Sequence, residues 1–273
     1  MEEKYSVLMS VYSKEKPEYL RACIESMLNQ TLFPNDFVIV KDGTLTEDLN
    51  SVINDYSKKY PDLFNIISLD ENMGLGKALD KGMIYCRNEF IARMDSDDLS
   101  LPTRCEKQVT MFNQHPEYSI IGTMIDEFYN DPSEIISSRI VPTEFTAILK
   151  FIRKRNPFNH PTVMYKKSAV LDAGGYGGIS TRQDLDLFSR MLNNGYKATN
   201  INEPLLLFRA NENNFTRRKS WRYCKGDIAV RHKIWRRGDC TFLDFAITTV
   251  IFLIIWISPM WVLKFASIKF LRK

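Results

Sequence analysis

Four short apolar runs organise the first hundred residues: Tyr5–Tyr12, Phe37–Val40, Phe64–Leu69 and Phe90–Met94. Amphipathic stretches separate them. Pro17-Glu18 opens the first, which carries Leu20, Cys23, Ile24, Met27 and Leu28 on one face to about Asn29. The second crosses Leu49–Lys59. The third starts from the loop Asn72-Met73-Gly74-Leu75-Gly76-Lys77 and runs to about Cys86. Strands alternating with helices predict βαβ units, a largely parallel sheet and right-handed crossovers. The alternation then stops. Ser119–Phe128, Pro161–Tyr165 and Pro204–Arg209 read as strands that extend the sheet, with helices near Thr143–Arg155, Lys167–Leu171 and Leu185–Asn193. Gly174-Gly175-Tyr176-Gly177-Gly178 reads as a flexible turn.

The fourth apolar run ends in three carboxylates within four residues, Asp95-Ser96-Asp97-Asp98. Acids this close repel one another, so a packed domain needs a counterion there. Mg²⁺ takes one or two carboxylates plus substrate phosphates, which suits such a loop. In open α/β sheets, ligands bind beyond the carboxyl ends of strands. Tyr12-Ser13, Lys41-Asp42-Gly43 and the acidic run would meet at that edge, as in a nucleotide pocket. The plainer readings are a solvated acidic turn, an N-cap for the helix after Pro102, and a simple turn at Asp42-Gly43. The Gly74/Gly76/Lys77 loop either lets a ligand approach the backbone, with Lys77 near phosphate, or merely starts a helix. It lacks P-loop spacing, and no G-x-G-x-x-G follows the first strand.

Farther along, Gln183-Asp184-Leu185-Asp186-Leu187 puts a carboxylate at a helix N-terminus. Asp184 is either an N-cap or a base that deprotonates an acceptor hydroxyl. His160, between Asn159 and Pro161, either lines an acceptor cleft or hydrogen-bonds in a turn.

Charge separates the chain into two parts. Residues 217–273 hold 13 Lys/Arg against three Asp, while 1–216 hold 24 basic against 30 acidic residues. Inside the basic tail, Phe245–Leu263 carries no charge, and Pro259 interrupts it. The run is near the minimum for a membrane span, but basic residues flank both ends. A re-entrant or interfacial segment on an anionic membrane surface is the expectation, and the apolar run argues against nucleic acid as the tail's partner. An ordinary core helix is the alternative. Five cysteines without a C-x-x-C pair argue for a reducing compartment. Met1-Glu2-Glu3-Lys4 leads straight into a strand with no signal-peptide core.

Taken in order, S-V-L-M-S-V-Y, V-K-D-G, N-M-G-L-G-K-A-L, A-R-M-D-S-D-D, N-P-F-N-H-P-T-V-M, G-G-Y and Q-D-L-D-L-F resemble the family 2 glycosyltransferases. The resemblance covers about residues 4–210 and is nearest the subgroup of amylovoran and O-antigen biosynthesis. It implies a GT-A fold: a Rossmann-like, mixed and mostly parallel sheet flanked by helices. The nucleotide half would be about 1–100, the acceptor half about 101–216, and 217–273 a membrane-associating tail. It implies inverting transfer of a hexose from a UDP-sugar to a polyprenyl-diphosphate-linked sugar at the cytoplasmic face of a bacterial inner membrane. Tyr12, Asp42, Gly76, Lys77, Arg93, Asp95 and Asp98 would line the donor site. Asp97 and Asp95 would hold Mn²⁺ or Mg²⁺, and Asp184 would be the base. His160 and Gln183 would face the acceptor; Gln183 stands where many relatives carry Glu. A nucleotidyltransferase would want glycines after the first strand, and Tyr12–Pro17 has none. A non-catalytic nucleotide-sugar binder would have no use for Asp184.

Overall fold

The computed structural model describes residues 4–178, 181–210 and 220–258. The first half runs β1 (Tyr5–Val11), α1 (Pro17–Leu28), β2 (Asp36–Lys41), α2 (Glu47–Lys59), β3 (Phe64–Ser68), α3 (Leu75–Tyr85) and β4 (Phe90–Asp95). These strands pair in parallel in the order β3-β2-β1-β4. Period-2 alternation divides each strand between two cores. Val7, Met9 and Val11 face α1, α2 and the later helix over Arg104–Gln114. Leu8 faces the other layer, with Val38 and Val40. Phe37 stacks on Phe64 with ring centroids 4.8 Å apart. Each fully buried aliphatic or aromatic side chain contributes about 1.5–3 kcal/mol.

Past β4 the sheet becomes mixed. The chain continues through β5 (Leu99–Ser100), α4 (Arg104–Gln114), β6 (Tyr118–Phe128), β7 (Ser137–Arg139), α5 (Phe145–Ile152), β8 (Met164–Lys166), α6 (Lys167–Asp172), α7 (Gln183–Asn193) and β9 (Lys197–Arg209). β8 runs antiparallel to β4 and to β6, while β9 runs parallel to β6. The expected strand over Pro161–Tyr165 is thus divided: His160–Thr162 forms a 3-10 turn, and the ladder begins at Met164. β9 starts seven residues before Pro204, because Ala198 and Asn200 are buried beside β6. Register shifts along β6 absorb the irregularity. Beyond residue 219 lie α8 (Trp221–Arg236) and α9 (Phe242–Ile257). Ser220 caps α8 by accepting from Tyr223 N. Thr241 and Asp244 form a reciprocal capping box that starts α9.

α9 is shorter than the expected apolar segment. It ends at Ile257, and residues 259–263, Pro259 among them, lie outside the described residues. Among the described residues, no helix is long and apolar enough to cross a membrane. α9 packs on α8, yet it exposes Phe242, Leu243, Val250, Ile251, Ile254 and Ile257.

Candidate active site

The acidic loop sits where β4 ends, and the neighbouring elements fix it. The Cys23 thiol of α1 donates to Asp95 O at 3.0 Å. Asp98 is fully buried; its Oδ1 accepts from Arg209 N at the end of β9 (2.8 Å), and Arg209 Nε donates to Asp97 O (2.9 Å). The Arg209 guanidinium in turn lies 3.9 Å from the Tyr19 ring centroid. Burial, then Asp97 and Asp95, pushes Asp98 well above the usual carboxylate range. Burial, then Asp95 and Glu15, pushes Asp97 up to about 7. Two fully buried cations lie nearby: Arg93, on the same strand, and Arg104 of α4, whose Nη2 donates to Arg93 O at 2.7 Å. Arg93 is the one that pairs with the loop. Its Nη2 donates to Asp95 Oδ1, while Nε and Nη1 have no partner among the described residues.

These observations fit a cation at the loop. The carboxylates crowd one another, Asp98 Oδ2 is buried without a partner among the described residues, and among the described residues the one ion pair made to these acids is Arg93 with Asp95. No cluster of three or more His, Cys, Asp or Glu among the described residues could hold a metal alone.

Two neighbours enlarge the pocket edge. Glu15, in the loop after β1, accepts from Ser96 Oγ at 2.5 Å and adds a fourth carboxylate that the strand pattern did not single out. Asp42, expected to read a base, is buried. Its two carboxylate oxygens already accept from Met73 N (2.7 Å) and Gly74 N (3.0 Å), so it pins the loop before α3. Spare lone pairs remain for a ligand. Tyr12 lies half-exposed at the end of β1.

The second half approaches through α3. Asp80 accepts from Tyr176 N (2.7 Å) and Gly177 N (3.0 Å), which clamps the glycine-rich turn onto α3. Gly175 there has φ +65°, and a Cβ would come 2.5 Å from Asp80 Oδ1, so no side chain fits. The turn is thus held rather than loose. Gly76 touches the base-bearing segment: a Cβ on it would lie 3.1 Å from Gln183 Cγ. Lys77 lies near Gly178. Asp184 is partly exposed, and its Oδ2 accepts from Asn156 Nδ2 at 2.7 Å. His160 Nε2 meets Tyr176 Oη at 2.8 Å. Burial, then Arg93, holds the imidazole well below its ordinary pKa. His160 therefore braces the turn through Tyr176. Burial raises the Tyr176 hydroxyl's pKa; Arg93, the partner of Asp95, opposes this, while Asp184 and Asp80 add to it.

Glu15, Asp80, Asn156 and Arg209 were not among the expected site residues. Each is one polar residue in a polar stretch, and only tertiary contact gives it a role. Asn156 opens the N-P-F-N-H-P segment and Asp80 directly follows N-M-G-L-G-K-A-L, which was the available signal.

Comparison with known proteins follows the same lines. The pattern of "Glycosyl transferase family 2" matches residues 6–174. The amylovoran biosynthesis glycosyltransferase AmsE of Erwinia amylovora is 35% identical over 88% of this chain and 91% of its own. The UDP-Gal:alpha-D-GlcNAc-diphosphoundecaprenol beta-1,3-galactosyltransferase of Escherichia coli is 31% identical over 94% of this chain and 92% of its own. Among solved structures, the mannosyltransferase PcManGT of Pyrobaculum calidifontis, in complex with GDP-Man and Mn²⁺, superposes with a TM-score of 0.65. It covers 97% of this chain and 73% of its own at 15% identity, a likeness of fold. With a mixed sheet whose strand ends gather these carboxylates, and with relatives matched over nearly their whole length, the chain belongs to the family 2 glycosyltransferases and serves polysaccharide biosynthesis.

Proposed function

We propose that the chain transfers a hexose, glucose or galactose in β linkage, from a UDP-sugar to a polyprenyl-diphosphate-linked sugar with inversion. The setting is repeat-unit assembly of an O-antigen, capsule or exopolysaccharide. One arrangement carries the reading: Asp184, held by Asn156, opens α7 beside the glycine-rich turn that Asp80 of α3 clamps, and the adjacent Gln183 meets Gly76 at the start of α3, whose loop Asp42 pins. The galactosyltransferase relative, which by its name uses UDP-Gal and a diphosphoundecaprenol-linked GlcNAc, supports the donor and acceptor classes.

In this reading Tyr12 and Asp42 flank the uracil end of the donor. Asp97 and Asp95 would hold Mn²⁺ or Mg²⁺, with Asp98 supporting the loop through Arg209 and Arg93 paired to Asp95. When bound, the cation offsets the charge that develops on the leaving UDP. Gly76 and Lys77 border the phosphates. Gln183 lies beside Gly76 and borders the acceptor, and His160 holds Tyr176 from below. Asp184 takes the proton of the acceptor hydroxyl, and the oxygen forms its bond to the anomeric carbon. The bond from that carbon to the diphosphate oxygen breaks, and its electron pair leaves with UDP. No covalent enzyme intermediate is required. Asp184→Asn keeps shape but not proton acceptance. It should retain UDP-sugar affinity within a few-fold while transfer falls by roughly 10²–10⁴. Wild-type turnover in this variant would move the base elsewhere, with Asp186 excluded as the substitute because three cations already engage it.

The tail belongs to the same proposal. α9 presents apolar side chains outward, and α8 carries the exposed Arg222, Lys225 and Arg236. An apolar face beside lysines and arginines suits the anionic surface of a cytoplasmic leaflet. Such a surface would bring the pocket to a lipid-borne acceptor. Co-sedimentation with vesicles containing anionic lipid tests this, and binding unchanged by a salt wash plus α9 charge insertion would refute it.

A further inference from the structure

Arg182 is the residue just before α7, and among the described residues it is the only non-glycine with positive φ (φ 57°, ψ 29°). L-residues avoid this region, and such a conformation persists where the surroundings fix it. Here the surroundings come from the far end of the chain. Arg182 Nε lies 2.6 Å from Asp227 Oδ1, on α8. Its guanidinium lies between two rings, 5.1 Å from Tyr223 of α8 and 5.7 Å from Phe252 of α9. Asp227 is fully buried and also pairs with Arg231 (2.8 Å), whose guanidinium lies 5.4 Å from the same Phe252. The slot that receives Arg182 is therefore built by both helices of the C-terminal hairpin.

What Arg182 holds is the backbone that enters α7. Gln183 and Asp184 follow directly, and α7 begins without a side-chain cap. Without a cap, the direction of the first turn depends on the residue before it. Asn156 meets only one oxygen of the Asp184 carboxylate. A second tie lies one turn deeper: Asp186 pairs with Lys233 and Arg237 of the hairpin, and with Arg190 of α7 itself. Asp186 is buried and secures the body of α7, but it does not set where the chain enters the helix.

We propose that Arg182 is a positioning residue for transfer: through Asp227 and the Tyr223/Phe252 slot it aims the Asp184 carboxylate, so the α8–α9 hairpin is part of the catalytic apparatus. This rests on Asp184 being the base. The hairpin thus has two roles on one body, an outward apolar face and an inward grip on the base.

The test uses the full chain, with Mn²⁺, UDP-glucose and UDP-galactose, and a short-chain alkyl-diphosphate GlcNAc acceptor. UDP release, UDP titration and melting temperature are read together. In Arg182→Gln, kcat should fall on the order of tenfold to a hundredfold, the size expected of a misplaced catalytic group. Donor KM and UDP affinity should stay within about threefold, since Arg182 pairs with Asp227, Tyr223 and Phe252 and with none of the donor groups. Arg182→Lys should recover part of the loss, because it keeps the charge but not the planar stack. Phe252→Ala should lower kcat in the same direction without touching any ionic partner. The Arg182→Gln/Asp227→Asn pair should be no worse than the worse single change. Arg237→Gln, one turn away, should lower melting but leave kcat within about threefold.

Three results would overturn the proposal. One is near-wild-type kcat in Arg182→Gln beside an inactive Asp184→Asn. Another is a joint loss of kcat, UDP binding and melting temperature that Lys does not relieve, which means a structural role only. The third is equal kcat losses in Arg237→Gln and Arg182→Gln. An active Asp184→Asn would instead remove the base reading itself, whatever the Arg182 variants show.

Discussion

The acidic loop after β4 and the start of α7 are built by the chain in opposite ways. The loop is the end of a central strand. Parallel partners, two apolar cores and contacts from α1 and β9 hold it. The start of α7 has no cap and a residue in the left-handed region. Charge pairs made with a hairpin some fifty residues later in sequence hold it instead. Apolar packing forgives small changes, because many contacts share the task. Paired buried charges do not, because losing one partner leaves the other stranded. The donor side should therefore be robust to distant change and the base side sensitive to it.

The strongest attempt to break that contrast is Asp97→Ala. It should take transfer below detection and weaken UDP binding in Mn²⁺ while leaving the melting temperature nearly unchanged; turnover undiminished by this change, or by excess EDTA, would remove the loop from the chemistry. Next comes a chain ending at Asp239, which lacks Phe252. It should still bind UDP, but transfer even to a short soluble acceptor should drop on the order of tenfold to a hundredfold. Full activity on the short acceptor would make the hairpin an anchor and nothing more. Leu243→Glu with Ile254→Glu probes the outward face of α9. Vesicle binding should fall by about tenfold or more, since each apolar side chain contributes about 1.5–3 kcal/mol when buried, and transfer to the short acceptor should persist.

The smallest effect is one of pH. Burial alone would raise the Asp186 carboxyl, but Arg237, Arg190 and Lys233 outweigh it and leave its pKa lowered. A lowered carboxylate stabilises the fold fully above the ordinary range, about pH 4, and this contribution fades as pH falls through the folded value. Asp186→Asn should thus melt lower at neutral pH and lose less further stability on acidification than the wild type. Parallel melting curves against pH would show whether α7 is held by charge.

The same contrast explains what could be read from the sequence. β1 to β4 and α1 to α3 emerge from periodicity alone, because burial on two faces imposes it. The strand-end acids follow, since the strands are known. β5 and β7 do not emerge. They are two and three residues long, and pairing with β9 and β6 defines them. Lys197–Asn200 reads as polar, yet it continues β9 beside β6. Asp184 is legible from its motif. Arg182 is not, because its slot is built from residues 223, 227 and 252, and no local pattern links it to them.

β8 runs against β4, with Ala92 opposite Met164 and Ile91 opposite Tyr165. The turn that precedes β8 and the loop that follows β4 therefore lie at the same end of the sheet. Met164 faces one core, while Tyr165 faces the other and meets Tyr176. One residue inserted between Thr162 and Met164 would exchange these faces. Tyr165 would leave Tyr176, and His160 would shift against the acid loop. Length is consequently free to vary on the outer loops of the second half, but not across this short seam. There the two halves of the enzyme keep a fixed phase, set by counting residues rather than by their chemistry.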